Sequence, residues 1–323
     1  MATPLHLADL RPPELVDLRT LKARDLEPLL TEEITAWRQE LEWQFDLSAG
    51  LVRRFVDLRA LNGNALLDRG QTTGYLYYVV EENKALIGDL YLRRGYRTAE
   101  RENQLLTSAV EEIARNRSIT RMEAQLLMLG HVPNRRLPLA ERACEYERYF
   151  MRVAAGRADY VERPVRANVT IEPWSDGYHE MAAHLIAAAY AGHIDSRIND
   201  QYRSVMGARR FLFNIVQFPG CGVFFRPASF AAFDAAGTLV GISMASLVAP
   251  ESGHITQICV LPELHGSGLG RELLRRSLAT FRESGCLSAS LTVTAANTNA
   301  VALYQHVGFE ITRRFSAYAW DLS

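Results

Sequence analysis

From residue 165 onward the spacing of apolar positions switches repeatedly between two periods, and each switch predicts a change from strand to helix or back. Val169–Ile171 reads as a short strand and Tyr178–Ala191 as a helix, with a second helical stretch over Asp200–Val216. Between those helices runs a polar segment, Gly192-His193-Ile194-Asp195-Ser196-Arg197. Ser229–Phe233 and Leu239–Leu247 are apolar and rich in small and β-branched residues, and Asp234–Thr238 between them has hairpin chemistry. Ile255–Leu261 is the next strand, ended by Pro262. Gly270–Glu283 brings Leu273, Leu274, Leu278 and Phe281 onto one helical face. Leu287–Val293 alternates as a strand, Asn299–Val307 is a short helix stopped at Gly308, and Phe309–Leu322 closes as a strand. This order predicts an α/β fold, a mixed sheet with helices on its faces.

The first half retraces the second faintly. Sliding the chain so that Leu105-Leu106 falls on Leu273-Leu274 also sets Leu92 on Val260. The same offset lays Tyr149–Val153 on Ala317–Asp321. Strand Ala85–Leu92, helix Glu102–Ile113 and strand Ile119–Leu127 therefore follow the order of the second half. The expectation is a tandem duplication with domains at 1–160 and 166–323. The linker falls near Ala154–Arg166, which is polar and contains Gly156 and Pro164.

Composition agrees with two soluble domains: 323 residues, 48% hydrophobic and 23% charged. A formal net charge of -1 gives no general reason to expect nucleic acid or an anionic membrane as partner. The four cysteines, Cys144, Cys221, Cys259 and Cys286, form no CxxC pair and have no histidine at metal-ligand spacing. Buried reduced thiols and no metal are expected, in a cytoplasmic setting. Met1–Glu14 carries Asp9, Arg11 and Glu14 and lacks the apolar core of a signal peptide. No run approaches the roughly 18 apolar residues of a membrane span, and the alanine-rich Met181–Ala191 is interrupted by His184.

The chemistry concentrates after the strand Ile255–Leu261. In Gly266-Ser267-Gly268-Leu269-Gly270 three glycines alternate, and an amphipathic helix begins at the last. Backbone without Cβ atoms can approach an anion closely, and a helix N-terminus adds its dipole, so the turn suits a pyrophosphate. A phosphate-binding loop of the GxxxxGK[ST] kind would need Gly-Lys-Ser/Thr, whereas Arg271-Glu272 follows here. A dinucleotide fingerprint needs GxGxxG in a tight turn, whereas this run is GxGxG after a Pro-Glu-Leu extension. A plain glycine turn capping a helix is the bland alternative.

The segment Val260-Leu261-Pro262-Glu263-Leu264-His265-Gly266-Ser267-Gly268-Leu269-Gly270 resembles motif A of the GNAT acetyltransferase superfamily, Gln/Arg-x-x-Gly-x-Gly/Ala. Asn297, followed by Leu303-Tyr304 and Gly308-Phe309, resembles a second signature of that family. The resemblance covers about residues 167–322, and one departure is His265, where the family usually has Gln or Arg. It implies acetyl-coenzyme A as cosubstrate, with Gly266, Ser267, Gly268, Gly270 and Arg271 at the pyrophosphate beside His265. Ile258 and Val260 would pair with the pantetheine amides. Arg271, Arg275 and Arg276 could reach the phosphates or form a solvated helix face. Asn297 is implied as a pantetheine ligand, with an N-cap role beside it.

Tyr304 is implied as the general acid for the departing thiolate; a packed core aromatic is its bland alternative. The family often places a carboxylate base at the start of the motif A strand, where this chain has His254. An ordinary strand-end histidine, Glu251 or a water-mediated base remain open there. Acceptor recognition is implied for the helix connection, with His193, Asp195, Arg197, Asp200, Tyr202 and Arg203, and for the apolar Cys221–Phe225. Cys259, mid-strand without an evident base, reads as structural.

The duplication offset sets Glu100 and Glu102 against Gly268 and Gly270, Leu129 against Asn297, and Arg136 against Tyr304. Carboxylates at that turn would repel a pyrophosphate, so the first half is expected to keep the fold without the chemistry. It would shape the acceptor site or mediate homodimerisation. The function expected is acyl transfer, acetyl above all, to a primary amine of a small molecule or peptide. Polyamines, aminoglycosides, amino acids, the amine of mycothiol synthesis and protein N-termini all fit. The alternative from another class is a non-catalytic acyl-coenzyme A sensor, which needs no acid.

Overall fold

The computed structural model describes residues 12–130, 132, 135–218 and 220–322, so Asp9 and Arg11 lie outside the described residues. Two compact units are formed, and neither is continuous in sequence. One contains the described residues up to Thr35, Ala49–Ala143 and the chain from Trp320; the other contains Ala36–Ser48 and Cys144–Ala319.

The first unit begins with β1 (Glu14–Asp17), followed by α1 (Ala23–Leu41), which continues into the second unit, and α2 (Asp46–Asp57). The strands β2 (Asn62–Asp68), β3 (Gln71–Glu81) and β4 (Lys84–Leu92) then run antiparallel from β1. Helix α3 (Ala99–Arg115) crosses over to β5 (Arg121–Gln125), parallel to β4. The α3 stripe Leu105, Leu106, Ala109, Val110 and Ile113 is buried, as the 3.6-residue period predicts. Thr98 caps the helix by accepting the Arg101 N–H. Under α1 the sheet carries polar groups: Tyr75 Oη donates to Glu33 Oε2 at 2.9 Å, and Asp89 is buried.

The second unit contains β6 (Ala143–Ala154), β7 (Val169–Pro173), α4 (His179–Ala189), the short α5 (Asp195–Ile198) and α6 (Val205–Gln217). It continues with β8 (Val223–Phe224), β9 (Phe230–Asp234), β10 (Leu239–Ala249), β11 (Ser252–Val260), α7 (Leu269–Glu283), β12 (Ser288–Thr294), α8 (Thr298–Val307) and β13 (Glu310–Asp321). Its strand order is β13-β6-β12-β11-β10-β9-β7, with β8 beside β10. The expected long helix over Asp200–Val216 is broken, because Ser204 takes extended backbone and its Oγ accepts the Gly207 N–H at 3.1 Å, starting α6 afresh. The stretch Tyr149–Val153, read from sequence as the closing strand of the first half, is β6 and lies in this second unit, antiparallel to β12.

Helix α7 covers one face of this sheet. Leu274, Leu278 and Phe281 pack with Ile255, Leu291 and Phe309, and Leu269 and Leu273 with Val240 and Val260. Each such side chain contributes about 1.5–3 kcal/mol by leaving water. Gly253 is required there: a Cβ on it would lie 2.7 Å from the Phe281 ring. Helices α4 and α6 cover the other face, over Ile242, Met244 and Cys259. Two cysteines are exposed, Cys144 and Cys221, which corrects the expectation of buried thiols; Cys259 and Cys286 are buried. Among the described residues no helix is long and apolar enough to cross a membrane.

Candidate active site

The glycine turn is built as an uncapped helix start. Pro262–Leu264 forms one 3-10 turn, and the His265 imidazole Nε2–H then donates back to the Val260 carbonyl at 3.2 Å. Gly266 and Gly268 take φ of +77° and +89°, left-handed values that a side chain would strain. Ser267 Oγ donates to the Leu264 carbonyl at 2.6 Å and accepts the Leu269 N–H at 3.3 Å. Gly268 occupies the N-cap position and has no side chain to cap α7. The N–H groups of Gly268, Gly270 and Arg271 donate to no protein group among the described residues. A Cβ on Gly266 would meet nothing within 4 Å, so the turn also leaves space in front of it. Unclaimed N–H groups at a positive helix end suit a pyrophosphate.

The guanidinium groups beside the turn are committed elsewhere. Arg271 Nη2 donates to Asp159 Oδ2 and to the Val161 carbonyl, both at 2.8 Å. Arg275 and Arg276 both hold Glu272, at 2.7 Å and 2.8 Å. What the turn offers an anion is therefore backbone.

Next to the turn the sheet opens. β11 and β12 pair in parallel only from Ser252↔Ser288 to Ile255↔Leu291, although β11 runs on to Val260 and β12 to Thr294. The cause is local: the β10–β11 register shifts between Met244 and Ala245, leaving Thr256 unmatched and bending β11 away. Beyond Ile255 the β12-facing edge of β11, which carries Ile258 and Val260, has no strand partner among the described residues. An extended amide-bearing chain can pair with such an edge as an added strand does.

Helix α8 enters this opening. Asn297 caps it, its Oδ1 accepting the Ala300 N–H at 3.3 Å, and Tyr304 lies on its buried side, 7% exposed. The Tyr304 ring centroid is 6.1 Å from that of Phe309, and its hydroxyl has no protein partner among the described residues. Burial raises the Tyr304 pKa well above the ordinary phenol value; Asp195 raises it further and Arg148 lowers it. The phenol thus keeps its proton at neutral pH.

The polar helix connection predicted to meet the acceptor does fold over the opening. His193 Nε2 lies 3.3 Å from Asn297 Nδ2, while His193 Nδ1 lies 3.2 Å from the Asp195 backbone nitrogen and 3.7 Å from its carboxylate. The Asp195 carboxylate accepts from Thr294 Oγ1 at the end of β12. Tyr190 and Tyr202 stack at 4.4 Å, and Gln257 of β11 bridges them, donating to Tyr190 Oη at 3.0 Å and accepting from Tyr202 Oη at 3.5 Å. Arg203 donates to the Ser196 carbonyl at 2.7 Å and steadies the connection. In the Cys221–Phe225 segment Cys221 and Val223 are exposed, while the half-buried Phe224 packs with α4 and α6 and Phe225 stacks on Phe281.

His254 is not brought to this network by any contact. Its ring is 4% exposed, Nδ1 is 2.9 Å from Ser290 Oγ, and the Trp43 indole lies edge-on at 4.9 Å. Burial lowers its pKa to about 3, so the ring stays neutral and takes a proton poorly. Its environment is that of a clamp between β11 and β12. Glu251 is exposed at the other end of β11, where its carbonyl accepts the Leu287 N–H. Burial pushes the Cys259 thiol up to about 12, consistent with a structural residue.

Sequence reasoning missed four contributors: Tyr190, Gln257, Thr294 and Arg148. The first three sit inside patterns that read as ordinary helix or strand; their only signal was a polar residue on an otherwise apolar element. Arg148 lies on β6, in sequence part of the first half, and faces Thr294 across the strand pair. In the first unit the corresponding helix start is differently built. Thr98 stands at its N-cap where α7 has Gly268, Glu100 stands where α7 has Gly270, and the buried Glu102, which bonds Arg135 at 2.6 Å, stands where α7 has Glu272.

Residues 198–309 match the acetyltransferase (GNAT) family. The mycothiol acetyltransferase of Thermobispora bispora is 40% identical over 91 residues, 26% of this chain and 31% of that protein. That of Pseudarthrobacter chlorophenolicus is 29% identical over 170 residues, 50% of this chain and 49% of that protein. An N-alpha-acetyltransferase of Arabidopsis thaliana is 33% identical over 66 residues, 20% of this chain and 35% of that protein. The chain thus spans about half, or less, of the curated relatives it matches. Among solved structures, a GCN5-related N-acetyltransferase from Sphaerobacter thermophilus has a TM-score of 0.65 at 15% identity, covering 95% of this chain and 96% of that one. A tandem GNAT protein from the clavulanic acid biosynthesis pathway has a TM-score of 0.57 at 17% identity, covering 97% and 99%. The chain has the fold of these tandem GNAT proteins, and residues 198–309 within it, which carry this site, match the GNAT acetyltransferase family.

Proposed function

We propose that the second half transfers an acetyl group from acetyl-coenzyme A to a primary amine of a small molecule or peptide. One observation carries the reading: the opening between β11 and β12 lies between an uncapped helix start and a buried, protonated tyrosine. The residues fit the cosubstrate. Unclaimed N–H groups of Gly268, Gly270 and Arg271 would hold its pyrophosphate, with Gly266, Ser267 and His265 shaping the turn. The free edge at Ile258 and Val260 would hold its pantetheine, with Asn297 beside it. When bound it supplies an activated thioester carbonyl.

The remaining chemistry belongs to the chain. A backbone N–H on the open edge of β11 would steady charge on the carbonyl oxygen. Tyr304 would give its proton to the departing sulfur, which the neutral phenol can do at physiological pH. His193 and Asp195, on the connection over the opening, would receive the amine; as its nitrogen bonds the carbonyl carbon and the C–S bond breaks, the proton it loses would pass through His193 to solvent, and Tyr304 would regain its own from solvent. The first half, with Thr98 and Glu100 at the helix start where the second has Gly268 and Gly270, would have no part in cosubstrate binding.

A panel of amines assayed by release of free coenzyme A thiol tests this. Amine-dependent release is expected. Tight acetyl-coenzyme A binding without release to any amine would instead identify a sensor.

A further inference from the structure

The second unit buries one guanidinium without a counter-ion. Arg148 is 9% exposed, its Nη2 donates to Thr292 Oγ1 at 3.2 Å, and its buried Nε has no partner. No carboxylate of the described residues forms an ion pair with it. The other well-buried arginines are matched: Arg135 by Glu102, Arg121 by Glu123, and Arg271 by Asp159. A buried charge left unpaired carries a large desolvation cost, which a fold tolerates where a ligand supplies the partner.

The position is specific. In the β6–β12 register Arg148 stands opposite Thr294, and Thr294 Oγ1 donates to the Asp195 carboxylate. A cation and a carboxylate are thus set around one threonine, and both act electrostatically on Tyr304 from opposite signs. Thr292 and Thr294 share a face of β12, so the guanidinium lies along the strand end where β11 has parted from it.

We propose that Arg148 binds a carboxylate carried by the acceptor, which is therefore an amino acid or a short peptide with its acid group free, its ammonium drawn to Asp195. The inference rests on the acetyl-transfer reading above and narrows its acceptor. A carboxylate matches the planar guanidinium fork with two parallel hydrogen bonds, and the unpartnered Nε is one edge of that fork. Arg148 acts on specificity; the proton transfers remain with the groups beside the thioester.

The test uses the full chain and matched acceptors: α-amino acids and dipeptides against their primary amides. For the native protein, kcat/KM for each acid is expected to exceed that for its amide by roughly 10–100-fold, the range of a hydrogen-bonded charge contact. In Arg148→Gln the acid-to-amide ratio should fall to about one, and Arg148→Lys should recover part of it. A native ratio near one overturns the inference, and needs no variant to fold. So does an Arg148→Gln protein that loses acids and amides alike. A fall in acetyl-coenzyme A affinity with the acid preference intact would assign Arg148 to a cosubstrate phosphate and overturn it too. Absence of transfer to every amine, with acetyl-coenzyme A still bound, overturns the acetyl-transfer reading itself. Transfer without preference for a carboxylate overturns only the narrower inference.

Discussion

Asn297 and His193 meet over the opening of the sheet, the amide nitrogen of one 3.3 Å from Nε2 of the other. Because Asn297 Oδ1 is held by the Ala300 N–H, one side chain both caps α8 and tethers the connection that covers the site. Asn297→Ala should therefore cost about 1 kcal/mol of stability, the usual worth of a cap, and raise KM for both substrates. Thermal unfolding with paired steady-state kinetics would show it. Unchanged KM values would confine Asn297 to capping.

Tyr304→Phe separates chemistry from binding. Loss of a general acid lowers turnover by roughly 10²–10⁴-fold. Acetyl-coenzyme A affinity, measured by calorimetry, should stay within a few-fold of native, because the proposed cosubstrate contacts are backbone groups of the turn and strand. Equal turnover in both proteins would remove Tyr304 from the mechanism.

Gly268 tests the turn. At φ +89° an added Cβ is strained even though its nearest neighbour would be the Pro164 carbonyl at 3.7 Å. Gly268→Ala should destabilise by about 1–2 kcal/mol and weaken acetyl-coenzyme A binding through the displaced N–H groups. The substitution Gly285→Ala, also at positive φ but distant in sequence from the turn, should cost stability without changing affinity.

His254 should make the fold acid-sensitive. Its folded pKa of about 3 lies below the ordinary 6.5, so between those values the unfolded chain binds more protons. The stability it contributes is present above about pH 6.5 and lost as the pH falls toward 3. Denaturant unfolding from pH 7 to 4 should show a shallower decline in His254→Gln than in the native protein. A ring titrating near 6.5 by NMR would contradict the clamp.

Asp89 in the first unit has the opposite sign. Burial raises its pKa from 3.8 to about 6, offset in part by hydrogen bonds from Glu33 and the Leu90 N–H. Its contribution is present below about pH 4 and lost as the pH rises through 6, on the order of 3 kcal/mol in total. Asp89→Asn keeps an oxygen for the Leu90 N–H and should raise the melting temperature at pH 7.5 more than at pH 4.5.

Much of the site can be read along the chain, because its parts are local. The glycine turn, the helix it starts, and the Asn297, Tyr304 and Gly308 spacing lie within single elements or adjacent ones, where period and cap chemistry report directly. The unusually polar connection from Gly192 to Arg203 was legible for the same reason. His254 was open to two readings because strand alternation shows that a position is covered without showing by what; Trp43, from the Ala36–Ser48 segment, decides it. The parting of β11 from β12 leaves no mark in either strand, since one unmatched residue at Thr256 alters register and not composition. Arg148 was the least legible of all. Its place opposite Thr294 depends on which strand β6 joins, and pairing between segments far apart in sequence is settled only by assembly of the whole sheet. The sequence by itself determined most of the elements, the glycine turn and the tyrosine on the helix that follows Asn297. Tertiary structure decided which side chains share the opening, because periodicity encodes which face is buried and packing alone selects the neighbour that buries it.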